Sequence, residues 1–190
     1  RRQRQMCIRD RPIEDALAGI AHVVVPGRLQ RIDEGQDYLA IVDYAHKPAA
    51  VAAVIATLRS EIKGRLCVVL GAGGDRDASK RAIMGREAAR GSDLFIVTDD
   101  NPRSEDPAVI RAAVEAGAYE LPTEERGEVR NIGDRAAAIR AAIAWAEPGD
   151  AVLVAGKGHE TGQNVNGVIH HFDDREEVRA ALQERRTGSL

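Results

Sequence analysis

Short apolar runs alternate along this chain with longer, alanine-rich stretches whose apolar positions fall three and four residues apart. Asp37-Tyr-Leu-Ala-Ile-Val-Asp43 predicts a strand. Pro48 to Ile62 predicts a helix, with proline at a suitable first position and Val51, Val54, Ile55 and Leu58 on one face. Leu66-Cys-Val-Val-Leu70 is unbroken apolar sequence that stops at a glycine cluster, as a strand buried on both faces does. Ser79 suits an N-cap and opens a helix to about Arg90. Asp93 to Thr98 is the next strand, and Pro107 to Gly117 the next helix, with Gly117 placed to end it. Tyr119 to Val129 reads as a polar loop entering a short strand. Asp134 to Ala146 is helical and is broken by Pro148-Gly149. Ala151-Val-Leu-Val-Ala155 is another buried strand, and Val168 to His171 a hairpin or edge strand. A last helix runs from Asp173 to about Arg185.

This alternation predicts a doubly wound α/β domain, a mainly parallel sheet with helices on both faces. In such sheets ligands sit beyond the carboxyl ends of the strands, so the residues following each apolar run hold the candidate chemistry. Arg1 to Pro26 does not continue the alternation and reads as the end of another domain.

Composition narrows the function classes. At 190 residues, 44% hydrophobic and 30% charged, the chain is long and apolar enough for one sizeable core. Aromatics are only 3%, which argues against a stacking platform for single-stranded nucleic acid. The net charge of -3 suggests neither a nucleic-acid nor an anionic-membrane partner. No apolar run approaches the ~20 residues of a membrane span. Cys7 and Cys67 stand alone without a CxxC, so a reducing cytoplasm is the default. No spacing suggests a zinc site or a Ser/His/Asp relay, and His22, His170 and His171 carry no signal.

Four strand ends are unusually polar. In Asp43-Tyr-Ala-His46-Lys47, an aspartate can accept ribose hydroxyls beside a flat ring; the plainer reading is a capping aspartate. In Gly71-Ala-Gly-Gly-Asp-Arg-Asp77, glycines allow close backbone approach, although neither GxxxxGK[ST] nor GxGxxG is present. Arg76 can grip a carboxylate with two nitrogens, or merely pair with its flanking aspartates. In Thr98-Asp-Asp-Asn101-Pro102-Arg103, the proline biases Asn101 to an extended form and stiffens a turn that aims the amide and the guanidinium. In Gly156-Lys-Gly-His-Glu160, Glu160 can pair with an ammonium, and Lys157 or His159 can meet a phosphate or carboxylate. Arg76, Asn101, Arg103 and Glu160 together suit a zwitterion; Asp43 and its neighbours suit a nucleotide.

Asp43-Tyr-Ala-His46, Gly73-Gly-Asp-Arg-Asp77, Asp100-Asn-Pro-Arg103 and Gly156-Lys-Gly-His-Glu160, in this order, resemble the C-terminal, Rossmann-like domain of the Mur ligases, over about residues 23–182. They are most similar to the branch that adds meso-diaminopimelate. The resemblance implies a cytoplasmic, ATP- and Mg²⁺-dependent ligase of peptidoglycan synthesis acting on UDP-N-acetylmuramoyl-L-alanyl-D-glutamate. An acyl-phosphate forms on the D-Glu γ-carboxyl, and the incoming amine attacks it. It implies that Arg76, Asp100, Asn101, Pro102, Arg103, Gly156 and Glu160 hold the amino acid. Arg28, Asp43, Tyr44 and His46 are implied to meet ATP. Diaminopimelate carries a second carboxylate that lysine lacks, and Arg103 can pair with it.

The resemblance places the phosphate loop, magnesium carboxylates and a carbamylated lysine in the family's central domain, and no such loop appears in this sequence. The expectation is therefore a remnant of that domain at 1–27, its first ten or so residues foreign, and an amino-acid-binding domain at 28–190. Such a piece is expected to hold no catalytic residue or metal of its own and to be inactive alone. The alternatives are a related ligase adding another amino acid, or a stand-alone amino-acid or nucleotide-binding module.

Overall fold

The computed structural model describes residues 25–190; the expected remnant at 1–27 lies almost wholly outside them. Eight strands and five α-helices follow in the order β1 (Gln30–Ile32), β2 (Leu39–Asp43), α1 (Pro48–Glu61), β3 (Leu66–Leu70), α2 (Ser79–Gly91), β4 (Leu94–Val97), α3 (Pro107–Tyr119), a 3₁₀ turn (Thr123–Glu125), β5 (Glu128–Asn131), α4 (Arg135–Trp145), β6 (Ala151–Ala155), β7 (Gly162–Val165), β8 (Val168–His171) and α5 (Asp174–Arg186). Six strands form one sheet in the order β1-β2-β6-β3-β4-β5, with β1 antiparallel and the others parallel. β7 and β8 form a separate antiparallel hairpin.

Strand side chains alternate between two cores, as the period of two requires. Val68, Leu70, Phe95, Val97, Leu153 and Ala155 face Val51, Leu58, Met84, Ile110 and Val114 of α1, α2 and α3. Cys67, Val69, Leu94, Ile96, Val152 and Val154 face Ile139, Ile143, Val178 and Leu182 of α4 and α5. Each central strand is therefore apolar at every position, and β3 and β6 are wholly buried. Burial pushes the Cys67 thiol well up, so it stays a neutral core group.

Two local expectations are corrected. Ser79 is the first helical residue of α2 rather than its cap, and the Asp77 carboxylate accepts from both its N–H and its hydroxyl. Gly117 does not end α3, which runs to Tyr119. It lies where α3 crosses α2, and a Cβ there would collide with the Ala82 carbonyl. A glycine near a helix end thus marks close packing here, not a stop. The aspartates before α3, α4 and α5 (Asp106, Asp134 and Asp173) do cap, each accepting an N–H from the first turn.

The register sets up the site. Asp43 of β2 and Leu70 of β3 both pair with Ala155 of β6, and Leu70 also pairs with Val97 of β4. Four parallel strands therefore finish in one row. β3 and β6 are neighbours, but α2 after β3 packs on one face and α5 after β6 on the other. Between connections that part in this way a crevice opens at the strand ends.

Candidate functional site

That crevice is a cavity of about 470 Å³. Tyr44, His46 and Lys47 line it from the end of β2, Gly71, Ala72, Gly73 and Arg76 from β3, Asp100, Asn101 and Arg103 from β4, and Gly156 and Glu160 from β6. Asp77, Lys80, Arg81 and Met84 add a wall from the start of α2. Of the residues singled out by sequence as candidates, Arg28, Asp43, Pro102, Lys157 and His159 do not line it.

Asn101 is 8% exposed and uses both ends of its amide. Its Oδ1 accepts from Lys157 Nζ at 3.1 Å and from the Asn164 N–H at 2.9 Å. Its Nδ2 donates to Glu160 Oε2 at 3.0 Å. Lys157, read from the sequence as a cation for an outside phosphate or carboxylate, is instead fully buried. Its ammonium stands 3.3 Å from Asp100 Oδ1 and 3.6 Å from Glu160 Oε2. An ammonium only donates, so it fixes which way the Asn101 amide faces, and it offsets part of the charge of the two carboxylates. None of the hydrogen bonds among the described residues uses Asp100 Oδ2 or Glu160 Oε1. These are two acceptor atoms for an incoming ammonium.

Arg103 is held differently from the sequence reading. Pro102 is buried behind the turn, and its carbonyl accepts from Glu105 N–H. Further constraint comes from Arg103 itself. Arg103 has φ +54°, a left-handed conformation that costs a residue with a Cβ about 1–2 kcal/mol. Its N–H donates to Asn164 O and its carbonyl accepts from the Asn166 N–H, so one residue of the turn bridges to the β7–β8 hairpin at Val165. Its Nη1 donates to Gly74 O at 2.7 Å, leaving Nε and Nη2 without partners among the described residues. A Cβ on Gly74 would collide with the Pro102 carbonyl, so glycine is needed for this approach.

Arg76 does not pair with its neighbouring aspartates. Asp75 is taken by Ser104 and Asp77 by Ser79 and Lys80. The exposed guanidinium makes one 3.3 Å contact, to the Asp75 carbonyl. Behind it, buried Arg81 donates to Glu105 Oε1 at 2.7 Å. That guanidinium, and then the Asp75 N–H, hold the Glu105 carboxyl below the ordinary carboxylate range.

Sequence reasoning missed the pair beneath the row of strand ends. Arg135 and Asp174 are both fully buried and meet through two parallel hydrogen bonds of 2.7 and 2.8 Å. Burial alone would lower the Arg135 pKa, but the Asp174 carboxylate outweighs it and holds it up. Arg135 also donates to Ala155 O and Asp99 O, tying the ends of β6 and β4 together. The available signal was a charged residue directly after each capping aspartate, Asp134 and Asp173.

At the β2 corner, Tyr44 lies 4.6 Å from the His46 ring and 5.1 Å from His159, with Arg28 5.4 Å above it. The two histidine rings are tilted against Tyr44 by 57° and 45°, and the Tyr44 face with Arg28 beside it could take a nucleotide base and an adjacent phosphate. Asp43 is turned away: its two oxygens accept the Leu29 and Ala45 N–H groups. Among the described residues no group of three or more His, Cys, Asp or Glu side chains could share a metal ion. No helix among them is long and apolar enough to cross a membrane.

A family model described as Mur ligase, glutamate ligase domain, matches residues 27–158. A UDP-N-acetylmuramoyl-L-alanyl-D-glutamate–2,6-diaminopimelate ligase of Corynebacterium glutamicum is 66% identical over 90% of this chain and 34% of its own length. The ligase of the same name in Corynebacterium efficiens is 69% identical over 87% of this chain and 32% of its own. A solved structure of a ligase of this name superposes with a TM-score of 0.78 at 41% identity, covering 87% of this chain and 33% of that one. The chain thus spans about a third of the length of the relatives it matches.

Proposed function

The chain belongs to the Mur ligase family, and from that premise we propose that it is the C-terminal, amino-acid-binding part of a cytoplasmic ligase that adds meso-diaminopimelate to UDP-N-acetylmuramoyl-L-alanyl-D-glutamate. ATP supplies the phosphoryl group that activates the D-Glu γ-carboxyl. An amine of the amino acid attacks that carbon, the amide forms and phosphate leaves. Residues 28–190 position the amino acid, while most contacts to the phosphates and Mg²⁺ come from the family's central domain.

The observation that carries this reading is one cavity that brings the guanidinium groups of Arg76 and Arg103 and the carboxylates of Asp100 and Glu160 together. Arg103 and Arg76 take the two carboxylates, while Asp100 and Glu160 take an ammonium through their free oxygens. Tyr44, His46, Arg28 and Asp43 flank the nucleotide. L-lysine lacks the second carboxylate and would leave the Arg103 guanidinium without its counter-charge. Competition of L-lysine against meso-diaminopimelate in the full-length ligase tests this. Incorporation of diaminopimelate in large excess is expected; equal incorporation overturns the reading.

A further inference from the structure

The β7–β8 hairpin takes no part in the main sheet, and all four residues of β8 are exposed. A two-stranded hairpin is at best marginally stable by itself, so something else must order this one. Its inner strand lies along the turn that carries Asp100 to Arg103. Gln163 Nε2 donates to Asp100 O at 2.8 Å, and Asn164 N–H to Asn101 Oδ1 at 2.9 Å. Arg103 N–H donates to Asn164 O at 3.0 Å, and Asn166 N–H to Arg103 O at 2.6 Å. Four hydrogen bonds thus reach three of the four positions from Asp100 to Arg103, all but Pro102.

We propose that the β7–β8 hairpin is the positioning element of the amino-acid site, with Gln163 holding Asp100 and Asn164 holding both Asn101 and Arg103, the last in its left-handed conformation. The hairpin touches no substrate. It acts by fixing the guanidinium that discriminates between amino acids, and this inference rests on the reading of the cavity given above.

The hairpin carries its own registration device. Asn166 (φ +51°) and Gly167 (φ +81°) form a two-residue turn with both residues left-handed, the geometry Asn-Gly favours. The Asn164 side chain accepts the Gly167 N–H at 3.1 Å, so the turn and the inner strand are locked together. A shift of one residue would exchange the face that meets Arg103 for the opposite one. Nothing lies within 4 Å of a Cβ built on Gly167, so a substitution there strains the backbone without a clash.

Four variants of the full-length ligase decide the matter: Gly167→Val, Gly167→Asn, Gln163→Leu and Arg103→Ala. A β-branched residue resists a positive φ, while asparagine tolerates it. Gly167→Val is expected to raise the KM for meso-diaminopimelate about tenfold, roughly the loss of one or two hydrogen bonds, with the KM for ATP unchanged. Gln163→Leu is expected to do the same to a smaller extent, and Gly167→Asn to restore wild-type behaviour. Because the hairpin acts through Arg103, Gly167→Val should add little in an Arg103→Ala background. If Arg103→Ala raises the KM and both hairpin variants leave it unchanged, the hairpin inference falls and the reading of the cavity stands. If Arg103→Ala leaves the KM unchanged, both fall.

Discussion

Two arginines face one cavity, and they are held in opposite ways. Arg103 is pinned at its N–H, its carbonyl and one guanidinium nitrogen, and it sits in a left-handed conformation that nothing local favours. Arg76 lies exposed on the glycine-rich loop after β3 with a single long contact to a neighbouring carbonyl. A fixed guanidinium discriminates, because a ligand must meet it where it stands. A mobile one attracts, because it can follow the ligand but loses side-chain entropy on binding. Within one cavity, then, the β4 corner is built to select and the β3 corner to capture.

The largest effect should come from removing the support beneath the selecting corner. Arg135→Met leaves Asp174 charged and fully buried without a partner. A loss of about 3–5 kcal/mol is expected in denaturant unfolding, as for other broken buried pairs. A loss under ~1 kcal/mol would show that the strand ends do not depend on Arg135.

Next in size is the contrast between the two arginines themselves. In the full-length ligase, Arg103→Ala should raise the KM for meso-diaminopimelate by about 10- to 100-fold, the ~1.5–3 kcal/mol of a charge-assisted contact. Arg76→Ala should raise it by only about threefold, and that effect should shrink as salt screens the exposed charge. Equal, salt-independent effects would erase the distinction between the corners.

The smallest effect concerns pH. Glu105, held below its ordinary range by Arg81 and the Asp75 N–H, stabilises the fold fully above the unfolded glutamate pKa. That contribution is lost as pH falls through the lowered folded value. Acid unfolding followed by circular dichroism should therefore be less steep in Glu105→Gln than in the wild type.

The scaffold was legible because burial on both faces forces unbroken apolar runs. Leu66–Leu70 and Ala151–Ala155 could be read with their exact ends, and the buried face of α1 from Val51, Val54, Ile55 and Leu58. The residues that the structure gathers at the crevice were legible as strand-end polarity. Their wiring was not. Lys157 resembles a solvent cation in sequence, and only its burial between Asp100, Asn101 and Glu160 reveals an internal counter-charge. Gln163 and Asn164 lie some sixty residues beyond the turn they touch, and polar residues in a short hairpin carry no periodic signal. Pro102 drew attention to the right turn, and the left-handed residue of that turn sits one position later, at Arg103.

The seam between residues 100–103 and 163–166 sets the size of the part that can be transplanted. A four-residue graft from a relative with another amino-acid preference would arrive on a clasp cut for the resident loop, and its guanidinium or substitute would drift. Exchanging loop and clasp together, while leaving the level row of strand ends untouched, moves the selecting corner as one cassette.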